Sequence, residues 1–307
     1  MKMLNIVSVS LALLAPSIHA QTGSAMKDTF KLEQLTHAAL AQYHRWYQVY
    51  EVPFTDRRIA NQKDILANDV EIVTSAGTSK GNNGLEDRLK VYTGWQNAHH
   101  VKNTQVTLAP DGKLLLDADI IYQNIRPDNS KFSYTLRYST RLQPRAGDLP
   151  VFERLELKST GEIKEFKFEP RYAENRSKSF MHYWLYLIET AHQQSGKFKE
   201  ILASDFNLQL SEGRTITQFA EFEQWLAAIP KQIITSTHAA KNFSVVDAGN
   251  NLLNVSVDFD WKGINLEGKN MVGQTHHEWV LVNDMEERFA RLKTMKVTLV
   301  QPFRVVP

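Results

Sequence analysis

The sequence predicts an α+β chain built as two copies of one domain, on three observations. First, Asp64-Ile-Leu-Ala-Asn-Asp69 returns as Glu200-Ile-Leu-Ala-Ser-Asp205, His99-His-Val-Lys-Asn103 as His238-Ala-Ala-Lys-Asn242, and Phe152-Glu-Arg-Leu155 as Phe289-Ala-Arg-Leu292. The offsets of 136, 139 and 137 residues keep the matches in order and make each copy domain-sized, far longer than a solenoid unit. Second, apolar residues recur at helical spacing early in each copy. Third, they alternate at strand spacing later, which is the grammar of an α+β layout.

In the first copy a long amphipathic helix is expected from Phe30 to Tyr50, with Leu32, Leu35, Ala39, Tyr43, Trp46 and Tyr50 on one face. Pro53 stops it, because the residue before a proline avoids the α region. A shorter helix is expected over Asp56–Leu66, a strand over Val70–Thr74, a polar Gly-rich loop over Gly77–Gly84 and a helix over Leu85–Trp95. Strands follow at Val101–Leu108, Leu114–Tyr122, Phe132–Leu142 and Val151–Lys158. Pro110-Asp-Gly112 and Arg126-Pro-Asp-Asn129 supply turn chemistry between them.

The second copy repeats this order. Helices are expected at Ser179–Gln193, Phe198–Ala203 and Thr217–Ala228, and a strand at Phe206–Leu210. Four long strands then fall at Ile233–Val246, Leu252–Trp261, Met271–Val282 and Phe289–Val300. The domains are therefore placed at 29–170 and 174–307, joined by the short charged segment Arg171–Lys178.

At 307 residues, with 42% hydrophobic and 23% charged residues, the chain has material for two cores. Its net charge of +2, with basic and acidic residues interleaved, argues against a nucleic-acid partner. Residues 1–20 read as an export signal. Lys2 is the positive start, Met3–Leu14 is mostly apolar, and Ser17-Ile-His-Ala20 ends in the small residue a signal peptidase needs. The apolar run is too short to span a bilayer, which needs about 20 residues, so no membrane insertion is expected. No cysteine occurs, which removes disulfides, thiol nucleophiles and lipid-modified cysteine. A periplasmic or secreted protein is the expectation.

The order helix, helix, strand, helix, four strands, with His99–Asn103 and His238–Asn242 each entering a first long strand, resembles the cystatin-like α+β roll of the nuclear transport factor 2-like superfamily, particularly its SnoaL-like branch. The resemblance covers the mature chain as two tandem rolls. It implies a curved antiparallel sheet wrapped around helices, with a conical apolar pocket in each domain. It also implies pairing through the sheets, so that the tandem forms an internal pseudo-dimer whose charged outer faces (Asp117, Asp119, Arg137, Arg141, Arg154, Glu156; Asp258, Asp260, His276, Glu278) meet or face solvent. Enzymes of the superfamily work without a cofactor, moving protons with a His or a raised-pKa carboxylate and stabilising oxyanions with Tyr.

On that resemblance Tyr43, Asp56, His99 and Tyr138 are the candidate catalytic residues. Trp46, Tyr134, Tyr183, Tyr186 and His277 are candidates for holding a small apolar or aromatic ligand. Tyr183, Tyr186 and Glu189 share helical spacing and could line one pocket wall. Against this, buried tyrosines are commonly core aromatics. A His kept in both copies suits a shared strand-start hydrogen bond as well as catalysis.

No metal and no cofactor are expected. His276-His277-Glu278 lies on a strand, where neighbours point to opposite faces, and no metalloprotease, phosphate-loop or nucleophile-elbow motif occurs. Two functions remain open: an acid–base isomerase, cyclase, dehydratase or hydrolase, and a non-catalytic binding or scaffolding protein.

Overall fold

A computed structural model describes residues 18–53, 63–75, 77–190 and 194–306. Residues 1–17 and Asp56, with most of the helix expected around it, lie outside the described residues. Helix α1 (Ile18–Glu51) leads into β1 (Leu66–Thr74), β2 (Gly77–Lys80), α2 (Leu85–Lys90), β3 (Gln96–Leu108), β4 (Leu114–Ile125), β5 (Lys131–Arg145) and β6 (Asp148–Glu162). The second half runs α3 (Tyr172–Thr190), a 3-10 turn at Ser195–Glu200, β7 (Leu202–Gln209), β8 (Thr215–Ile216), α4 (Phe219–Ala228), β9 (Ile233–Gly249), β10 (Leu252–Asn265), β11 (Asn270–Val282) and β12 (Arg291–Val305).

The two sheets have one topology. Their orders are β2-β1-β6-β5-β4-β3 and β8-β7-β12-β11-β10-β9. Each is antiparallel except where β1 lies parallel to β6 and β7 parallel to β12. The fold is thus two cystatin-like α+β rolls in tandem, each sheet curved over its own apolar cluster.

Three local expectations need correction. Gly77–Lys80 is an edge strand, not loop; all four residues are exposed, so no burial pattern marks it in sequence. α2 ends at Lys90, short of Trp95, as the chain turns through Gly94 at φ 75°. The charged segment Arg171–Lys178 is not a join but the approach to α3 and its first turns, where Arg171 and Lys178 each pair with Glu174 at 2.6 Å.

The larger correction concerns how the halves meet. The outer-face charges pair within their own sheets: Arg137 with Asp119 (2.7 Å), Arg154 with Glu71 and Glu156, Asp258 with His276 (2.6 Å) and Asp260 with Lys241. The contact between halves is instead made mainly by α1 and α3, packed against each other. Ser179 donates to the Ala41 carbonyl (2.9 Å), His44 meets Asn175, and His37 meets His182, so the helices run antiparallel. Small residues at the crossing (Ala38, Ala41, Ser179) allow that approach. Arg288 closes the end of the interface by donating to Asp64 (2.7 Å) and Glu200 (2.7 Å), the acids that open the first repeated segment.

Candidate functional site

Each half holds a cavity at the mouth of its roll. The first, of about 410 Å³, is lined by Trp46, Tyr50, Tyr92, His99, Tyr122, Tyr134 and Tyr138 among others. The second, of about 670 Å³, is walled by Trp184, Trp225, Phe259, Trp261 and Phe303, with His238, Thr275 and His277 as polar points.

A buried Glu–His pair stands at the wall of each cavity. At the end of α1, Glu51 Oε1 accepts the backbone N–H of His99 (2.8 Å) and lies 3.0 Å from its Nδ1. At the end of α3, Glu189 Oε1 accepts the backbone N–H of His238 (2.8 Å) and lies 2.9 Å from its Nδ1. One carboxylate oxygen therefore both anchors the strand and fixes the ring. Nε2 is left as the ring nitrogen available to whatever occupies the cavity. The ring of His99 is further sandwiched between Tyr47 (4.4 Å) and Tyr122 (4.9 Å).

Behind each pair a residue reaches in from the other half. Asn175 Nδ2 donates to Glu51 (3.0 and 3.1 Å) and to the His99 carbonyl (3.1 Å). His37 Nε2 donates to the His238 carbonyl (3.0 Å) and lies 3.7 Å from Glu189 Oε1. Between them, His44 Nδ1 contacts Asn175 Oδ1 (2.9 Å), His182 Nδ1 contacts His37 Nδ1 (3.0 Å), and the His44 and His182 rings stack at 5.8 Å. A buried polar seam thus runs from one cavity to the other. Burial disfavours charge along it: it pulls His44 and His238 down to about 4, drives His37 and His182 below the usual imidazole range, and pushes Glu189 up to about 8.

Of the residues singled out from sequence, His99, Tyr138, Trp46 and Tyr134 line the first cavity and His277 the second. Tyr43 packs edge-on against Tyr47 and Tyr138 in the core, away from the cavity lining. Tyr183 stacks on Phe289 and points its hydroxyl at Glu200 (3.4 Å), and Tyr186 lies beside the second core; neither lines a cavity. Glu189 sits under His238 and not on a wall shared with them. His276 and His277 do face opposite sides of β11: His276 pairs with Asp258, while His277 is held between Trp279 Nε1 (3.3 Å) and Thr275 Oγ1 (3.0 Å). Among the described residues no group of three His, Asp or Glu side chains is arranged to hold a metal ion.

Sequence reasoning missed Glu51, His37, Asn175 and the role of Glu189. Glu51 and Glu189 are 138 residues apart, in step with His99 and His238, so extending the repeat by one pair would have found them.

No family model matches the sequence, and no curated protein matches it. Solved structures resemble one roll at a time. A hexachlorocyclohexane dehydrochlorinase, LinA type 3, from Novosphingobium barchaimii aligns at 16% identity over 49% of this chain and 99% of its own, with a TM-score of 0.37. An uncharacterized protein with a cystatin-like fold from Caulobacter vibrioides aligns at 14% identity over 42% and 91%, with a TM-score of 0.35. ActVI-ORFA from Streptomyces coelicolor aligns at 13% over 40% and 96%, with a TM-score of 0.33.

Proposed function

We propose that this is an exported, monomeric two-domain protein whose cavities hold small, largely apolar or aromatic molecules, and that the Glu–His pair at the cavity wall moves a proton on them without a cofactor. The observation that carries the reading is the recurrence of that pair. In both halves a buried glutamate fixes Nδ1 of a histidine whose other nitrogen is left for a cavity, and both cavities exceed the roughly 300 Å³ of a small-molecule site. A ring so oriented can take a proton next to a carbonyl or give one to it, according to which nitrogen holds its hydrogen, the step shared by isomerases, cyclases, dehydratases and hydrolases of this kind. The interface of α1 with α3 serves as an internal pseudo-dimer seam in this reading. Neither nucleic acid nor a membrane is part of it: the charge is near balance, and no described helix is long and apolar enough to cross a bilayer.

One observation favours a non-catalytic binding protein instead: the same glutamate oxygen anchors the strand backbone, a purely structural duty. The two separate by experiment. The mature chain is purified, extracted in organic solvent, and any co-purified molecule identified by mass spectrometry and offered back to the protein. His99→Ala and His238→Ala keep the anchored backbone N–H, so each should fold with only a small fall in melting temperature. Loss of turnover with retained fold supports catalysis. Unchanged binding with no turnover in any form leaves the binding protein.

A further inference from the structure

His37 and Asn175 occupy matching positions on α1 and α3 but carry different numbers of hydrogens. The Asn175 amide has two, which it shares between both oxygens of Glu51 and the His99 carbonyl. A neutral imidazole has one. In His37 that hydrogen goes to the His238 carbonyl, which can only accept, so Nδ1 of His37 must accept from His182. Glu189 gets nothing from it. Its Oε2 is buried without a hydrogen-bond partner of good geometry, and the Thr237 hydroxyl is the side chain that pulls weakly toward the anion.

An orphaned oxygen is costly on an anion and much cheaper on a neutral carboxyl, so Glu189 holds its proton. Burial drives the same outcome and Glu33 on α1 reinforces it, against the opposing pull of His37, the His238 backbone N–H and the Thr237 hydroxyl. Protonated on Oε1, the carboxyl donates to His238 Nδ1, and His238 must then keep its own hydrogen on Nε2. In the first half the His99 backbone N–H and the Asn175 amide donate to both oxygens of Glu51, which fits a carboxylate and places the His99 hydrogen on Nδ1.

We propose that the two cavities present opposite polarity from the same position: His238 offers an N–H, so the second cavity takes an apolar molecule bearing a hydrogen-bond acceptor such as a ketone, while His99 offers a bare nitrogen, so the first takes one bearing a donor such as a phenol. The inference rests on the reading of the cavities as ligand sites. A second donor stands on the wall beside His238. Trp279 donates to His277 Nδ1, so His277 carries its hydrogen on Nε2 and donates to Thr275 Oγ1, which leaves the threonine hydroxyl hydrogen for the cavity. The first cavity has no such surplus at Tyr122, whose hydroxyl is committed to Asn97 (2.7 Å).

The test is nitrogen NMR of the full mature chain with labelled histidine, which distinguishes the two ring tautomers. At pH 7 His238 should carry its hydrogen on Nε2 and His99 on Nδ1. Raising the pH through about 8 should move the hydrogen of His238 alone to Nδ1. His37→Asn, which gives Glu189 a second donor, should do the same at pH 7; should that variant not fold, the pH series on the unaltered chain decides. Acetophenone should then perturb His238 and phenol His99. Identical tautomers at the two sites, or no change in His238 on raising the pH, would overturn the polarity. Tautomers as stated, with neither probe perturbing either ring, would overturn the cavities as ligand sites.

Discussion

The two halves share a frame and differ in what fills it. Trp46 and Trp184, Glu51 and Glu189, and His99 and His238 keep their places, but the residues around them have diverged. Residue by residue along the repeat, Tyr47 becomes Leu185, Tyr50 becomes Ile188, Tyr138 becomes His277, Leu136 becomes Thr275 and Tyr134 becomes Gly273. Smaller side chains at Ile188, Thr275 and His277 go with the step from about 410 to about 670 Å³. At Gly273 the freed space is taken by Phe303, whose ring lies 2.6 Å from where a Cβ would stand. A conserved frame with a varied lining is what a scaffold needs to hold two different molecules.

The comparison breaks most sharply at Arg176, whose counterpart on α1 is Ala38. Buried, it donates to the Arg288, Asp284 and Glu287 carbonyls (2.8–3.0 Å) and to Gln48 and Asn283 across and along the interface. Arg176→Ala should cost about 3–5 kcal/mol in denaturant unfolding, because several buried acceptors lose their donor at once. A loss below about 1 kcal/mol would mean the seam does not depend on this one-sided residue.

The second test is pH. Glu189 has a folded pKa near 8 against an unfolded value of 4.5, so the folded state holds a proton that the unfolded chain gives up. Stability is then present below 4.5 and falls as pH rises through 8. His44 and His238, down to about 4, and His277, down to about 3, work the other way. Their contribution is full above 6.5 and is lost as pH falls toward 4. Stability should therefore peak near pH 6.5, with a steep acid side of several protons and an alkaline side of one. That single proton is worth roughly 2 kcal/mol between pH 6.5 and 8. Glu189→Gln should flatten the alkaline side in urea-unfolding curves and, by removing the one proton that opposes the histidines between pH 4.5 and 6.5, steepen the acid side.

The smallest effect is expected at Tyr43, whose buried hydroxyl has no hydrogen-bond partner of good geometry and whose counterpart is Met181. Tyr43→Phe should change stability by less than about 1 kcal/mol in either direction, since no satisfied bond is lost. A larger loss in thermal unfolding would mean the hydroxyl supports Tyr47 or Tyr138.

The long strands were legible because Leu114, Leu116, Ala118 and Ile120 alternate with polar residues, and the repeat was legible because it preserved whole short segments. His99 could be picked out for the same reason. Glu51 could not be weighed from sequence, since a glutamate at a helix end is ordinarily a solvated charge, and only the fold reveals that this one is nearly inaccessible. The seam was hidden for another reason. Nothing local in His37 or Asn175 states that α1 will lie on α3, and a pairing across so much intervening chain is decided by packing alone. The charged strand faces suggested a meeting of sheets, yet their charges find partners one strand away and leave no demand for a second surface.

The seating of α1 on α3 also sets an order of events during synthesis. The leading helix must wait for the whole first sheet to be made before its mate emerges. In that interval the stripe it exposes is one of histidine, glutamine and alanine, which water tolerates, and not a run of large aliphatics inviting stray association. A hydrophilic hinge line of this kind lets two parts that arrive at different times find each other without clinging to something else first.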